Sequence, residues 1–274
     1  MNGRYSRQSF LGASSEGLFR SVRAGIVGLG GGGSHIAQQL AHVGIGRFAL
    51  FDPDFIEFPN LNRTVGAAHA DAVSKVPKVV VAERMIKGIN PNAEVWPIQS
   101  EWQKDFESLR VCDVVFGCLD GFSRRAQLEE SCRRAMIPLI DIGMDVHKGE
   151  PYSISGQVVV SMPGKPCFKC LGFVRDKDLD EEGRRYGEAG GNPQVVWSNG
   201  VLASTAVGIF IQMLSPWCRF NPGSAFLGYD GDRFTLEHDA RHAVAIGRTC
   251  EHFRDIRDLG DPFWKPQVAA RQTA

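Results

Sequence analysis

Gly28, Gly30, Gly31 and Gly33 lie between an apolar run ending at Val27 and a helical pattern beginning at Ser34. A second apolar run, Phe48 to Phe51, stops at Asp52. Glycines let the backbone turn tightly and approach a ligand, and a helix N-terminus offers unpaired N–H groups to phosphate. An acid about 20 residues further on is placed to accept from ribose hydroxyls. The spacing predicts a bound nucleotide, and on these residues alone a nicotinamide-dependent oxidoreductase fits as well as any other enzyme.

Four further groups exceed what a dinucleotide needs. Asp52-Pro53-Asp54 is followed by Asn60-Leu61-Asn62-Arg63, which sets polar and cationic side chains beyond the second strand. Lys78 opens the next helix. Cys118-Leu119-Asp120 closes the fourth strand, where open α/β sheets bind ligands, and a carboxylate there suits a magnesium ion bridging phosphates. Arg4-Tyr5-Ser6-Arg7-Gln8 precedes the first strand. A triphosphate carries more charge than loop N–H groups can offset, so it calls for such cations.

In order and spacing these residues resemble the ThiF/MoeB/HesA family, bacterial relatives of ubiquitin-activating enzymes, from about Arg4 to His252. The resemblance implies ATP-dependent adenylylation of the C-terminal carboxylate of a small ubiquitin-like, β-grasp protein ending in Gly-Gly. It makes Arg7 the arginine that reaches the ATP of a neighbouring subunit, hence a homodimer. It makes Gly28, Gly30, Gly31 and Gly33 the phosphate loop, and Asp52 the ribose acid. It also assigns Asn60 and Arg63 to the N-L-x-R element, Lys78 (not Lys75) to the helix lysine, and Asp120 to the metal-binding aspartate. Arg125 falls in register with these. The attacking carboxylate and the triphosphate repel each other, and Arg7, Arg63, Lys78 and a magnesium ion on Asp120 would offset that repulsion. No general base is required, because a C-terminal carboxylate is already ionised at neutral pH.

Cys167-Phe168-Lys169-Cys170 occupies the place of the family's first zinc pair. The second pair reads Cys250-Glu251-His252, so zinc would take a Cys3His set with an unusual Cys-x-His spacing, and buried, idle thiols are the alternative. Relatives that form a thioester carry a cysteine at the end of a crossover loop. Alignment through Asn199-Gly200 puts Val196 or Trp197 there, with no cysteine between Cys170 and Cys218. The expectation is an enzyme that stops at the acyl-adenylate, with Ser198 the nearest hydroxyl for an oxyester and a distant cysteine the remaining option. Cys112, Cys118 and Cys132 read as core. Trp197, Phe210 and Trp217 read as core or interface.

These residues need a scaffold. Strand-like runs near 24–28, 47–51, 94–98, 112–116 and 138–142 alternate with helical patterns near 34–43, 74–89 and 122–135. This predicts a Rossmann-like, open, mainly parallel sheet with helices on both faces. Residues 153–161 begin an antiparallel C-terminal extension, continued by strands at Ala225–Tyr229 and Arg233–Glu237 around an Asp230-Gly231-Asp232 turn. A charged, glycine-rich stretch, about 175–196, predicts a mobile crossover loop, followed by a helix from about Val201 to Leu214. The domain then spans 1–252, with 253–274 as an arm.

At 274 residues and 43% hydrophobic content the chain can bury a full core. Zero net charge gives no field to recruit nucleic acid or an anionic membrane. No apolar leader and no window approaching a membrane span is apparent, and seven scattered cysteines fit a reducing cytoplasm. The partners that the resemblance implies are a β-grasp carrier and a downstream conjugating enzyme or sulfur acceptor. Three rivals remain: an RNA-directed adenylating cyclase or dehydratase of the same superfamily, the oxidoreductase, and a non-catalytic nucleotide-sensing scaffold.

Overall fold

The computed structural model describes residues 3–184, 193–215, 217–218, 224–245, 247–248 and 250–253. Eight strands form one sheet: β1 (Arg23–Val27), β2 (Arg47–Phe51), β3 (Glu94–Ile98), β4 (Val114–Gly117), β5 (Leu139–His147), β6 (Ser153–Ser161), β7 (Ala225–Asp230) and β8 (Thr235–His238). Their order is β3-β2-β1-β4-β5-β6-β7-β8. β3 through β5 pair in parallel, and β5-β6, β6-β7 and β7-β8 pair antiparallel. The expected parallel sheet with an antiparallel extension is therefore observed.

Nine helices accompany these strands among the described residues. They are α1 (Ser15–Ser21), α2 (Gly31–Val43), α3 (His69–Val73), α4 (Lys78–Ile89), α5 (Phe106–Leu109), α6 (Phe122–Arg134), α7 (Asp176–Arg184), α8 (Val196–Leu214) and α9 (Ala240–Ala245). Period-2 alternation divides the sheet residues between two cores. Ala24, Ile26, Phe48, Leu50, Val114 and Phe116 pack with apolar residues of α1, α2, α4 and α8. Val27, Ala49, Phe51 and Val115 face the opposite layer, with Leu109 of α5, Leu128 and Cys132 of α6, and Ala245 of α9. Burying both faces explains why the parallel strands read as near-continuous apolar runs.

Several boundaries differ from the sequence expectation. The pattern at 74–89 divides because Pro77 caps α4 and Lys75 takes a positive φ of 47°. β5 runs on to His147, since its far half pairs with β6. The last hairpin turns over Gly231–Phe234, with Asp230 still paired to Thr235. Within the stretch expected as a crossover loop, residues 176–184 form α7 and α8 starts at Val196; residues 185–192 lie outside the described residues. The expected arm also lies outside them, apart from Phe253.

α8 corrects the statement that no segment approaches a membrane span. Its 19 residues have a mean hydropathy of 1.3, long and apolar enough to cross one. It is apolar because it is sandwiched: one flank lies on α2 and another on β5 and β6. Leu202, Ala206 and Phe210 are buried there, and Phe210 meets Phe116 edge-on at 5.5 Å.

Candidate functional site

The winding reverses between β3 and β4, so the C-terminal ends of β1, β2 and β4 open around one crevice. A cavity of about 370 Å³ fills it, lined by Gly28, Gly30 and Gly31, by Asp52, Asp54, Arg63 and Lys78, and by Asp120. Two glycines are dictated by geometry. Gly28 has φ +89°, and a Cβ there would meet the Cys118 carbonyl oxygen at 2.4 Å. At Gly33 a Cβ would lie 1.8 Å from the Gly28 oxygen, so this turn of α2 packs directly on the loop. Gly33 is accordingly not among the cavity-lining residues. α2 begins at Gly31, three residues before the expected start, which brings its first turn to the cavity edge.

Asp52 is buried at the end of β2 with both oxygens engaged. Oδ2 accepts from the Leu29 N–H at 2.6 Å and Oδ1 from the Asp54 N–H at 2.9 Å. The carboxylate thus holds the glycine loop while each oxygen has a second lone pair that could accept from a further donor. Burial pushes its pKa up, against the pull of the Lys78 ammonium and the two backbone N–H groups. Lys78 Nζ lies 2.8 Å from Asp54 Oδ2 and 3.8 Å from Asp52 Oδ1. Arg63 reaches the cavity from the loop after β2 and is held there by the Pro59 carbonyl (2.7 Å) and Asn62 Oδ1 (3.0 Å). Asn60 is not among the cavity residues: its Oδ1 accepts from the Glu57 N–H at 2.9 Å, capping a short 3-10 turn that supports Arg63.

Asp120 follows β4, exposed on the cavity wall, with Gln194 Nε2 at 3.5 Å from its Oδ1. Its free carboxylate oxygen lone pairs fit a hard divalent cation. Two adjacent arginines of α6 part company here. Arg124 lines the cavity and pairs with Glu101 at 3.0 Å. Arg125, expected at the nucleotide, is buried instead against the Asp141 carboxylate and the Ile142 carbonyl, and is not a lining residue. Glu182 of α7 accepts from the Ser123 N–H at 2.9 Å, fastening the crossover segment to the first turn of α6. Arg7 is exposed on an N-terminal 3-10 segment and does not line the cavity.

Sequence reasoning did not single out Arg124, Glu101, Trp102 or Asn199 as cavity residues. Asn199 donates to the Val195 carbonyl at 2.9 Å and packs against Gly31, tying the start of α8 to the glycine loop. Its signal was the Asn199-Gly200 pair used only for alignment. Ser198 is fully buried with no hydrogen-bond partner for its hydroxyl among the described residues, so it is closed to a carboxylate in this conformation. Cys112 and Cys132 are core, as expected, but Cys118 lines the cavity. Burial pushes its thiol far up, which makes it a poor nucleophile. Phe210 is core, whereas Trp197 and Trp217 are about half exposed.

On the α6 side of the sheet, Cys167, Cys170, Cys250 and His252 bring their donor atoms within 4.8 Å of one another. Zinc–sulfur bonds of about 2.3 Å at tetrahedral angles require S···S edges of about 3.8 Å and S···N edges of about 3.5 Å. The Sγ atoms of Cys167–Cys170 and Cys170–Cys250 are 3.6 and 3.7 Å apart, and His252 Nδ1 is 3.4 Å from both Cys167 and Cys170. The hydrogen bond between Cys167 and Cys250 holds the Cys250 thiol down and pushes the Cys167 thiol up, so the two sulfurs share a proton that a metal ion would displace. The shorter Cys-x-His spacing therefore closes the same kind of tetrahedron as a Cys-x-x-Cys pair. The four residues can hold a metal ion.

Comparison with known proteins bears on this arrangement. The ThiF family model matches residues 5–245. The chain is 34% identical over 173 residues to the SAMP-activating enzyme E1 of Haloferax volcanii, covering 61% of this chain and 61% of that enzyme. It is 34% identical over 175 residues to the molybdopterin-synthase adenylyltransferase of Salmonella typhimurium, covering 61% of this chain and 67% of that protein. The ubiquitin-like modifier-activating enzyme 5 of Gallus gallus is 30% identical over 229 residues, 77% of this chain and 54% of that enzyme. The chain thus spans about half to two thirds of the length of these relatives. Among solved structures, Escherichia coli MccB with succinimide superimposes with a TM-score of 0.72 at 23% identity, over 87% of this chain and 72% of that one, a likeness of fold. With the ThiF model matching residues 5–245, and with a sheet order and glycine-loop crevice that agree with it, the protein belongs to the ThiF family.

Proposed function

We propose that this protein adenylylates the C-terminal carboxylate of a small ubiquitin-like, β-grasp protein ending in Gly-Gly, consuming ATP and releasing pyrophosphate. The observation that carries the proposal is the convergence of the glycine loop, Asp52, Arg63, Lys78 and Asp120 on one cavity. The loop and α2 take the phosphates, and Asp52 takes the ribose. Arg63 and Lys78 reduce the repulsion between carboxylate and triphosphate and hold the charge that moves onto the departing pyrophosphate. The carrier's carboxylate oxygen bonds to the α-phosphorus as the bond to the β-phosphate oxygen breaks, giving a mixed anhydride with AMP. Magnesium, held by Asp120, would supply further compensation at the phosphate oxygens.

Arg7 completes a partner's site in this reading. Its exposure outside the cavity leaves it free to reach a second copy, as a homodimer requires. Zinc occupies the Cys3His cluster. The acyl-adenylate passes to a conjugating enzyme or sulfur acceptor, because Ser198 is buried and Cys118 is held protonated. The domain runs over 1–252, and the reducing cytoplasm suits its free thiols.

Carrier-dependent exchange of pyrophosphate into ATP tests the reading. Asp120→Ala is expected to lower exchange about 100-fold, a size typical of a charge aimed at a reacting phosphate. Its melting temperature should stay unchanged, since the side chain is exposed. Undiminished exchange in that variant sinks the proposal. Exchange that needs tRNA instead of a Gly-Gly protein selects the RNA-directed rival, NADH turnover the oxidoreductase, and nucleotide binding without turnover the scaffold.

A further inference from the structure

The metal cluster sits on two buried charged residues that the activation chemistry does not use. Arg133 and Glu129 lie one turn apart on α6, 1% and 3% exposed. Full burial of such a pair is costly unless its polar atoms are engaged. Arg133 Nη2 donates to the Lys165 and Pro166 carbonyls at 2.9 and 3.0 Å, the two residues just before Cys167. Its Nε donates to Ser161 Oγ at 2.9 Å and lies 3.3 Å from Glu129 Oε1. Glu129 Oε1 accepts from the Phe168 N–H at 2.9 Å, inside the Cys167–Cys170 turn, and from the Ser161 hydroxyl. On the other side, the Arg133 guanidinium carbon stands 5.0 Å from the centre of the Phe253 ring, next to His252. One pair from α6 therefore touches the turn bearing two donors and the residue following the last.

The charges point the same way. Three thiolates, one neutral imidazole and a divalent ion sum to −1, and the Glu129 carboxylate beside the first cysteine turn adds a second negative charge that Arg133 also faces. A guanidinium is always charged and, when desolvated, acts strongly on a neighbouring anion. Arg133 Nη1 is buried with no acceptor among the described residues, so part of this cation is not consumed by hydrogen bonds.

We infer that Glu129 and Arg133 are the positioning residues of the Cys167/Cys170/Cys250/His252 metal centre, Glu129 fixing the first cysteine turn and Arg133 bracing both donor pairs and offsetting the centre's negative charge. The inference rests on the zinc reading above. Outer groups of this kind typically account for about 10–100-fold in metal affinity.

Zinc affinity, measured on the full chain by competition with a chromogenic chelator, tests this. Arg133→Met and Glu129→Ala should bind zinc at least 10-fold more weakly than the unmodified chain. Glu129→Gln should stay within about 3-fold, because among the described residues the carboxylate's hydrogen bonds run through Oε1, which a glutamine amide oxygen can replace. Arg134→Met, an exposed neighbour paired with Glu130, should leave affinity unchanged. Cobalt substitution adds a readout that a purely packing role would not move: the thiolate-to-cobalt absorption should persist in Glu129→Gln and fade at lower chelator concentration in Arg133→Met. Should Arg133→Met fail to fold, Glu129→Ala against Glu129→Gln carries the same comparison. Equal affinity in all variants overturns the positioning role while zinc stands. An unmodified chain that binds no zinc overturns the zinc reading and this inference with it.

Discussion

Asp52 is where nucleotide binding and loop stability meet, and Asp52→Asn separates their sizes. The carboxylate takes two backbone N–H groups, Leu29 at 2.6 Å and Asp54 at 2.9 Å, one on each oxygen. An amide has one oxygen. Whichever way Asn faces, its NH2 group confronts one of those N–H donors in a site where residue 52 is 4% exposed. A charge-assisted hydrogen bond contributes about 1.5–3 kcal/mol, and a stranded buried donor costs about as much. The neutral amide recovers part of the desolvation that burial imposes on the carboxylate. A net loss of about 2 kcal/mol follows, a factor of about 30 in the folding equilibrium. Urea unfolding at pH 7 without nucleotide measures it directly. Asp54→Asn is the control: the Asp54 side chain is 64% exposed and, among the described residues, accepts only from Lys78, so less than about 1 kcal/mol is expected. If Asp52→Asn changes stability by under about 0.5 kcal/mol, the carboxylate does not hold the glycine loop and the geometric argument for it collapses.

Gly33→Ala sets a propensity gain of about 1 kcal/mol against a methyl 1.8 Å from the Gly28 oxygen. Backbone cannot yield that far cheaply, so the clash wins, and calorimetry should show a destabilisation of about 3 kcal/mol or an insoluble product; an unchanged melting temperature would show that α2 does not abut the loop. Acid stability depends on Asp71, whose carboxylate takes Arg84 at 2.8 and 2.6 Å. The hydrogen bonds from Arg84 hold its pKa below the ordinary 3.8, so its contribution is present above that value and disappears as pH falls through the lower folded value. Arg84→Met should therefore cost about 1 kcal/mol at pH 7, a deficit that shrinks below pH 4 in denaturant titrations; an equal deficit at pH 3 and 7 contradicts the assignment.

The parallel half of the fold was legible because β1, β2, β4 and the start of β5 are buried on both faces and punctuated by glycine, aspartate or proline, whereas β3 is a partly exposed edge strand. Boundaries were less so. Gly31 to Gly33 read as loop because glycine disfavours helix, yet all three lie inside α2, where Gly33 abuts the Gly28 turn and Gly31 and Gly32 leave room for Asn199 and Ile142. Arg124 and Arg125 are about 100° apart on a helix, and no single-sequence pattern tells which faces the cavity. Asn60 carried a motif position, but its side chain is spent on a cap, a use visible only once the turn is built. The Cys-x-His pair looked ill-spaced in one dimension, while the donor atoms need only converge in three. α8 hid its apolar length because its first turn contains Ser198, Asn199 and Gly200.

Cys170 and Cys250 are 80 positions apart, and between them run α7, α8, β7, β8 and α9. An ion seated on these donors knots the two ends of that long excursion. By the chain-entropy estimate a crosslink spanning such a loop restrains the unfolded chain by about 4–5 kcal/mol. Its removal would slacken the antiparallel flank first, whereas the ribs β1 to β4, which carry Asp52 and Asp120 at their tips, lie wholly outside the knotted segment.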